Sequence, residues 1–84
     1  TAYDAIFGSL ADEAGVDVVL VGDSVGNTVM GHPNMLKVTL DDIAHHVQAV
    51  ANGVRRALLV ADLPFGSYQE SPAQAVRSAV QLVR

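Results

Sequence analysis

Val16-Asp17-Val18-Val19-Leu20-Val21-Gly22-Asp23-Ser24 is the stretch on which the fold turns. Its β-branched, almost uninterrupted apolar run suits a parallel strand covered on both faces, because a strand with one wet face would alternate. Gly22 closes the run and Asp23 follows at its carboxyl end. Upstream, Ile6, Phe7, Leu10, Ala11 and Ala14 form one stripe of a 3.6-residue period over residues 5–14, which predicts a buried helix ended by Gly15. Downstream, residues 25–38 contain Gly26, Asn27, Gly31, Pro33 and Asn34 without a sustained period, which reads as a long loop.

Further along, Thr39 with Asp41 and Asp42 provides a helix start. The buried stripe of that helix is Ile43, Ala44, Val47, Val50 and Ala51, and Gly53 ends it. Ala57-Leu58-Leu59-Val60-Ala61 is a second strand. It finishes at Asp62, and Pro64 bars its extension. Ser71-Pro72-Ala73-Gln74 combines an N-cap, a proline at the first helical position and a capping-box glutamine. The helix it opens turns Ala75, Val76, Ala79, Val80 and Val83 inward and runs to Arg84 without a stop signal.

Alternating strands and helices imply parallel strands joined by right-handed crossovers. The expected fold class is α/β, with residues 1–84 a segment of a (β/α)₈ barrel, and with a small open sheet as the competing architecture. Thr1-Ala2-Tyr3 would be the tail of a preceding strand. Eighty-four residues allow one small domain or part of a larger one. Hydrophobic residues at 50% against 17% charged exclude a disordered chain. A net charge of −4 argues against nucleic acid and anionic lipid as partners. No apolar run approaches the roughly 20 residues of a membrane span. No basic leader precedes Thr1, so a cytoplasmic setting is expected, and the missing initiator Met suggests an excised piece.

Asp23 and Asp62 each follow directly on a buried strand, one βα unit apart. Neighbouring strands lie about 4.8 Å apart and sites gather at their carboxyl ends. Two carboxylates about 5 Å apart repel by roughly 3 kcal/mol at an effective dielectric near 20, so such a pair calls for a shared proton or a cation. Oxygen-only ligands favour a hard ion such as Mg²⁺. The competing reading makes each Asp a polar strand terminus in a turn. Gly22, Gly26 and Gly31 lack the Gly-Lys-Ser/Thr of a phosphate loop and fit backbone close approach or positive φ instead. His45 reads as a solvated residue, His46 as a boundary histidine, and Arg55 and Arg56 as solvated charges at a helix end. Phe65 reads as a wall of a pocket or core, and Tyr3 and Asp4 as residues at the site's mouth.

Thr1-Ala2-Tyr3-Asp4, Ala11-Asp12-Glu13-Ala14-Gly15, Val21-Gly22-Asp23-Ser24, Gly31-His32, Val38-Thr39-Leu40-Asp41-Asp42 and Ala61-Asp62-Leu63-Pro64-Phe65, in that order and spacing, resemble the ketopantoate hydroxymethyltransferase family. The resemblance implies a (β/α)₈ barrel of the phosphoenolpyruvate/pyruvate type, assembled as a homo-oligomer such as a decamer. It also implies Mg²⁺-dependent transfer of a hydroxymethyl group from 5,10-methylenetetrahydrofolate to 3-methyl-2-oxobutanoate, giving 2-dehydropantoate for pantothenate biosynthesis. Asp23 and Asp62 match the family's metal-ligand aspartates, and Ser24 matches the serine that contacts the 2-oxo acid together with Asp23. The family's general base is a Glu, and a further acid and a Lys stand near its metal. All three correspond to positions past Arg84, so the 84 residues by themselves are expected to be inactive. Met35-Leu36-Lys37 replaces a common Thr-Leu-Pro, and Asn27 a commonly apolar residue, which puts the fit of the loop to substrate in question. A related 2-oxo acid lyase or mutase is the alternative enzyme. Leu63-Pro64-Phe65 after Asp62 favours the transferase over it.

Overall fold

A computed structural model describes residues 1–83. Helix α1 is Ala5–Glu13, strand β1 Val18–Val21, helix α2 Val25–Thr28, helix α3 Leu40–Ala51, strand β2 Leu58–Ala61 and helix α4 Pro72–Val83. The expected alternation is therefore present, and the architecture is mixed α/β. The two strands pair in parallel, with Val18 opposite Leu58 and Val21 opposite Ala61. Parallel pairing needs a crossover, which α3 and its flanking loops provide. The carbonyls of Asp17 and Val21 accept from Leu58 and Asp62 on one edge, both at 3.0 Å. Leu20 points its carbonyl to the other edge and accepts from the N–H of Ala2 at 3.1 Å. Thr1-Ala2-Tyr3, expected to end a strand, forms none and follows β1 for that one bond.

Val19 and Val21 are buried at 1% and 0% exposure beneath the helices, whereas Val18 and Leu58 are 50% and 64% exposed on the opposite face. Cover on both faces, expected for β1 within a whole barrel, is therefore not formed by residues 1–83 themselves. Among the described residues only one face is covered, because α1 and α3 pack on the same side of the sheet. The strand also begins at Val18 rather than Val16. Val16 stands before the ladder, and its carbonyl accepts from the Arg56 guanidinium at 2.5 Å.

Helix α3 follows its sequence pattern closely. Thr39 Oγ1 accepts from the N–H of Asp42 at 3.1 Å while the Asp42 carboxylate accepts from the N–H of Thr39 at 2.9 Å, a complete capping box. Of its expected stripe Ile43 and Val50 are buried and Ala44 and Val47 half-buried, whereas Ala51 is exposed. Ala2, Val19, Val21 and Val50 form one core cluster and Val25, Val38 and Ile43 another, with Val47 packed against both. The stretch read as unbroken loop holds the four-residue α2, anchored by the fully buried Val25. Four residues are too few for a period to register in sequence.

Helices α1 and α4 form where expected but turn the other way. Ile6, Phe7 and Leu10 are 72%, 63% and 54% exposed, while Gly8 is buried against Val50 of α3. Small residues allow the α1 backbone to lie close to its neighbour, so α1 packs through its small face and leaves its large apolar stripe outside. In α4, Val76, Val80 and Val83 are exposed, and Ser78 is buried with its hydroxyl donating to the carbonyl of Ser67 at 2.6 Å. Ser71 accepts from the N–H of Gln74 as predicted, at 3.0 Å, but the Gln74 side chain accepts from Glu70 instead of closing the box on Ser71. The predicted run of this helix to Arg84 lies outside the described residues. No helix among the described residues is long and apolar enough to cross a membrane.

Candidate active site

The carboxyl ends of β1 and β2 stand side by side because the register continues past the strands. Asp62 donates its N–H to Val21, which places Asp62 beside Gly22. Alternation puts Leu58, Val60 and Asp62 on one face of β2. That is the open face, so the carboxylate of Asp62 is exposed rather than buried under the helices. The Asp62 side chain leans over the glycine, and a Cβ at position 22 would lie 2.8 Å from its Oδ2. Gly22 thus serves the close approach foreseen for it.

Asp23 and Asp62 line one open cleft with Ala61, Leu63 and Tyr68. Asp23 also borders an adjoining groove whose walls include Met35, Leu36, Leu63 and Phe65. Phe65, expected as a pocket or core wall, is 62% exposed along that groove. The loop that carries Leu63, Phe65 and Tyr68 is tied to itself and to the helix that follows it, α4. Ser67 Oγ donates to the carbonyl of the buried Pro64 at 2.6 Å, and Gln74 Nε2 to that of Gly66 at 2.9 Å. Another groove, between α3 and α4, is lined by Ala44, Val47, Leu59 and Leu82. It has no ionisable side chain and so offers no comparable chemistry.

Ser24 follows Asp23 directly in the chain. It occupies the N-cap position of α2 without a side-chain capping bond, and its hydroxyl instead shares a hydrogen bond with the hydroxyl of Tyr3. His46 Nδ1 lies 2.7 Å from the carbonyl oxygen of Tyr3. A carbonyl only accepts, so this nitrogen carries the proton. His46 is half-buried and satisfied, as a boundary histidine should be, and His45 is exposed. Thr39 holds the Asp42 carboxyl below its ordinary pKa, first through its backbone N–H and also through its hydroxyl, with smaller help from His46 and His32. Asn27 donates from its side-chain amide to the carbonyl of His32 at 3.1 Å and so closes its own loop.

The donor set at the cleft is two carboxylates and nothing softer. Among the described residues no group of three or more His, Cys, Asp or Glu side chains comes together. Two oxygen ligands beside open space fit a hard, partly hydrated cation, which commonly takes one or two protein carboxylates and fills its remaining positions with water or substrate oxygens.

A second, polar assembly holds the opposite end of the sheet. The Asp12 carboxylate at the end of α1 accepts from the backbone N–H groups of Arg55 at 3.0 Å, Arg56 at 3.2 Å and Ala57 at 2.7 Å. These bonds hold its pKa below the ordinary value, that of Ala57 most and that of Arg55 next. Arg56 also donates to the carbonyl of Asp12 at 3.4 Å, so it serves the negative pole of α1 rather than that of the preceding helix α3.

The family model for ketopantoate hydroxymethyltransferase matches residues 1–84. The chain belongs to the ketopantoate hydroxymethyltransferase family. Relatives named 3-methyl-2-oxobutanoate hydroxymethyltransferase include one from Cyanothece sp., 57% identical over all 84 residues, which are 32% of that protein's length. Another, from Dechloromonas aromatica, is 58% identical over 99% of the chain and 30% of its own length. A third, from Aeropyrum pernix, is 58% identical over the whole chain and 31% of its own length. The chain therefore spans about a third of the ketopantoate hydroxymethyltransferases it matches. Of the site residues expected from sequence, Asp23 and Asp62 are brought together and Ser24 is drawn toward Tyr3. Tyr68 on the cleft was not foreseen; its only signal was an aromatic six residues past a strand-end carboxylate.

Proposed function

We propose that the full protein carrying these 84 residues is a 3-methyl-2-oxobutanoate hydroxymethyltransferase, and that residues 1–84 are successive βα units of its (β/α)₈ barrel. The observation that carries the reading is the convergence of Asp23 and Asp62 on one cleft at the ends of adjacent parallel strands. It stands on a chain more than half identical, end to end, to proteins of that name.

In the proposed reaction the C3 proton of 3-methyl-2-oxobutanoate leaves to a general base, and C3 forms a bond to the methylene carbon of 5,10-methylenetetrahydrofolate. The carbon–nitrogen bonds of that donor break, water supplies the new hydroxyl, and tetrahydrofolate and 2-dehydropantoate result. Asp23 and Asp62 would hold Mg²⁺, which when bound supplies Lewis-acid polarisation of the 2-oxo group. The two carboxylates leave the open side of the cleft for the substrate's oxygens. Ser24 donates a hydrogen bond to the substrate carboxylate, and its short side chain leaves room for that approach. The base is a Glu outside these 84 residues. A cytoplasmic homo-oligomer, decameric as in the family, completes the reading.

The test uses the full-length protein. It should form 2-dehydropantoate only with both 5,10-methylenetetrahydrofolate and Mg²⁺ present. Asp23→Ala and Asp62→Ala should each weaken Mg²⁺ binding by at least about a hundredfold, the upper end of what loss of a partner outside the ligand set costs, and should lower turnover in step. Metal titrations unchanged in both variants would overturn the assignment of the ligands.

A further inference from the structure

The hydroxyls of Tyr3 and Ser24 share a hydrogen bond between residues 21 positions apart. Each hydroxyl has one proton to give. If Ser24 spends its proton on Tyr3, it has none for a ligand. If Tyr3 donates, the Ser24 proton is free. An anionic group approaching Ser24 selects the second arrangement, because the first would set a lone pair against a negative charge.

Tyr3 is held for that task. Its carbonyl accepts from Nδ1 of His46 at 2.7 Å, and the two rings meet edge to face with centroids 6.3 Å apart. Its side chain packs against the cluster of Val25, Val38 and Ile43. Ser24, in turn, makes no side-chain capping bond to its own helix, so nothing competes with Tyr3 for its oxygen.

We propose that Tyr3 is a positioning residue. Its phenol donates to Ser24 Oγ and thereby fixes the Ser24 proton as the donor to the carboxylate of a small 2-oxo acid. The inference rests on the proposed role of Ser24. A chain of two hydroxyls ending on an anion is mutually polarising, so the Ser24 bond is stronger with Tyr3 behind it.

Tyr3→Phe, Ser24→Ala and the double variant of the full-length enzyme test it by steady-state kinetics. Tyr3→Phe removes one oxygen and leaves the ring packing in place. It should raise KM for 3-methyl-2-oxobutanoate about three- to tenfold, the range of one hydrogen bond, and leave KM for the folate donor unchanged. In the Ser24→Ala background the same substitution should add nothing. A general packing defect would persist in that background, so the double variant separates positioning from damage. Additive effects, or an unchanged KM in Tyr3→Phe while Ser24→Ala raises it, would overturn the role of Tyr3 and leave the reaction standing. An unchanged KM in Ser24→Ala would overturn both residues' roles, and absence of turnover by the unaltered protein would overturn the reaction itself.

Discussion

Asp62 occupies the room that a side chain on Gly22 would need: a Cβ there would stand 2.8 Å from Oδ2 and 3.7 Å from Cγ of the carboxylate. The next nearest atom is Leu20 Cδ2, at 3.9 Å, so the three nearest neighbours of that Cβ all belong to side chains and the one tight contact is to the far end of the carboxylate. Asp62 can therefore swing aside at little cost in stability, but it then leaves its place beside Asp23. Gly22→Ala in the full-length protein should weaken Mg²⁺ binding on the order of tenfold to a hundredfold while shifting the melting temperature little. Calorimetric metal titration beside a thermal melt checks this. Equal metal affinity in the two proteins would show that Asp62 is free to relocate without loss.

Asp12 makes stability sensitive to acid. Its folded pKa lies below the ordinary 3.8, chiefly through the N–H of Ala57 and then that of Arg55. The unfolded chain therefore binds the proton more readily. The contribution of Asp12 is fully present above pH 3.8 and fades as pH falls through the lower folded value. Asp12→Asn should lower the melting temperature at neutral pH, and the gap from the unaltered protein should narrow below pH 3.8. A gap that stays constant down to pH 2 would contradict the ionised clamp.

Gly53, just past the end of α3, lies close against the backbone of α1. An added Cβ would lie 2.2 Å from the carbonyl oxygen of Ala5 and 3.1 Å from the nitrogen of Ser9. Both are backbone atoms, so no rotamer relieves the clash and the two helices must separate. Gly53→Ala should destabilise the fold by about 1–3 kcal/mol, the usual range for overpacking. Urea unfolding reads this as a lower midpoint at an unchanged slope, and an unchanged midpoint would contradict so close a contact.

Much of this is legible in the sequence. The two strands ending at Val21 and Ala61, though not their starts at Val18 and Leu58, the Thr39 cap and the shared cleft of Asp23 and Asp62 follow from local pattern and from the rule that parallel strands end side by side. The facing of α1 and α4 was not legible. Periodicity states that Ile6, Phe7 and Leu10 share a side, but not which side meets α3, and Gly8 decided that by allowing closer contact. Nor were the Asp12 clamp and the Tyr3–Ser24 bond, which join residues 43 to 45 and 21 positions apart. Each partner has an ordinary local reading, as a helix-end acid or a turn serine, and nothing nearby in sequence points across the fold.

The bare face of the sheet ties solubility to chemistry. Leu58 and Val60 lie on the same side of β2 as Asp62 and are open to water. Any segment that shields this oily surface must also arrive beside the carboxylate, as close as one strand residue is to the next but one. Shelter for the hydrocarbon and a wall for the cleft then come from one docking event, so a substitution that loosens the first also alters the solvent and the dielectric around the second.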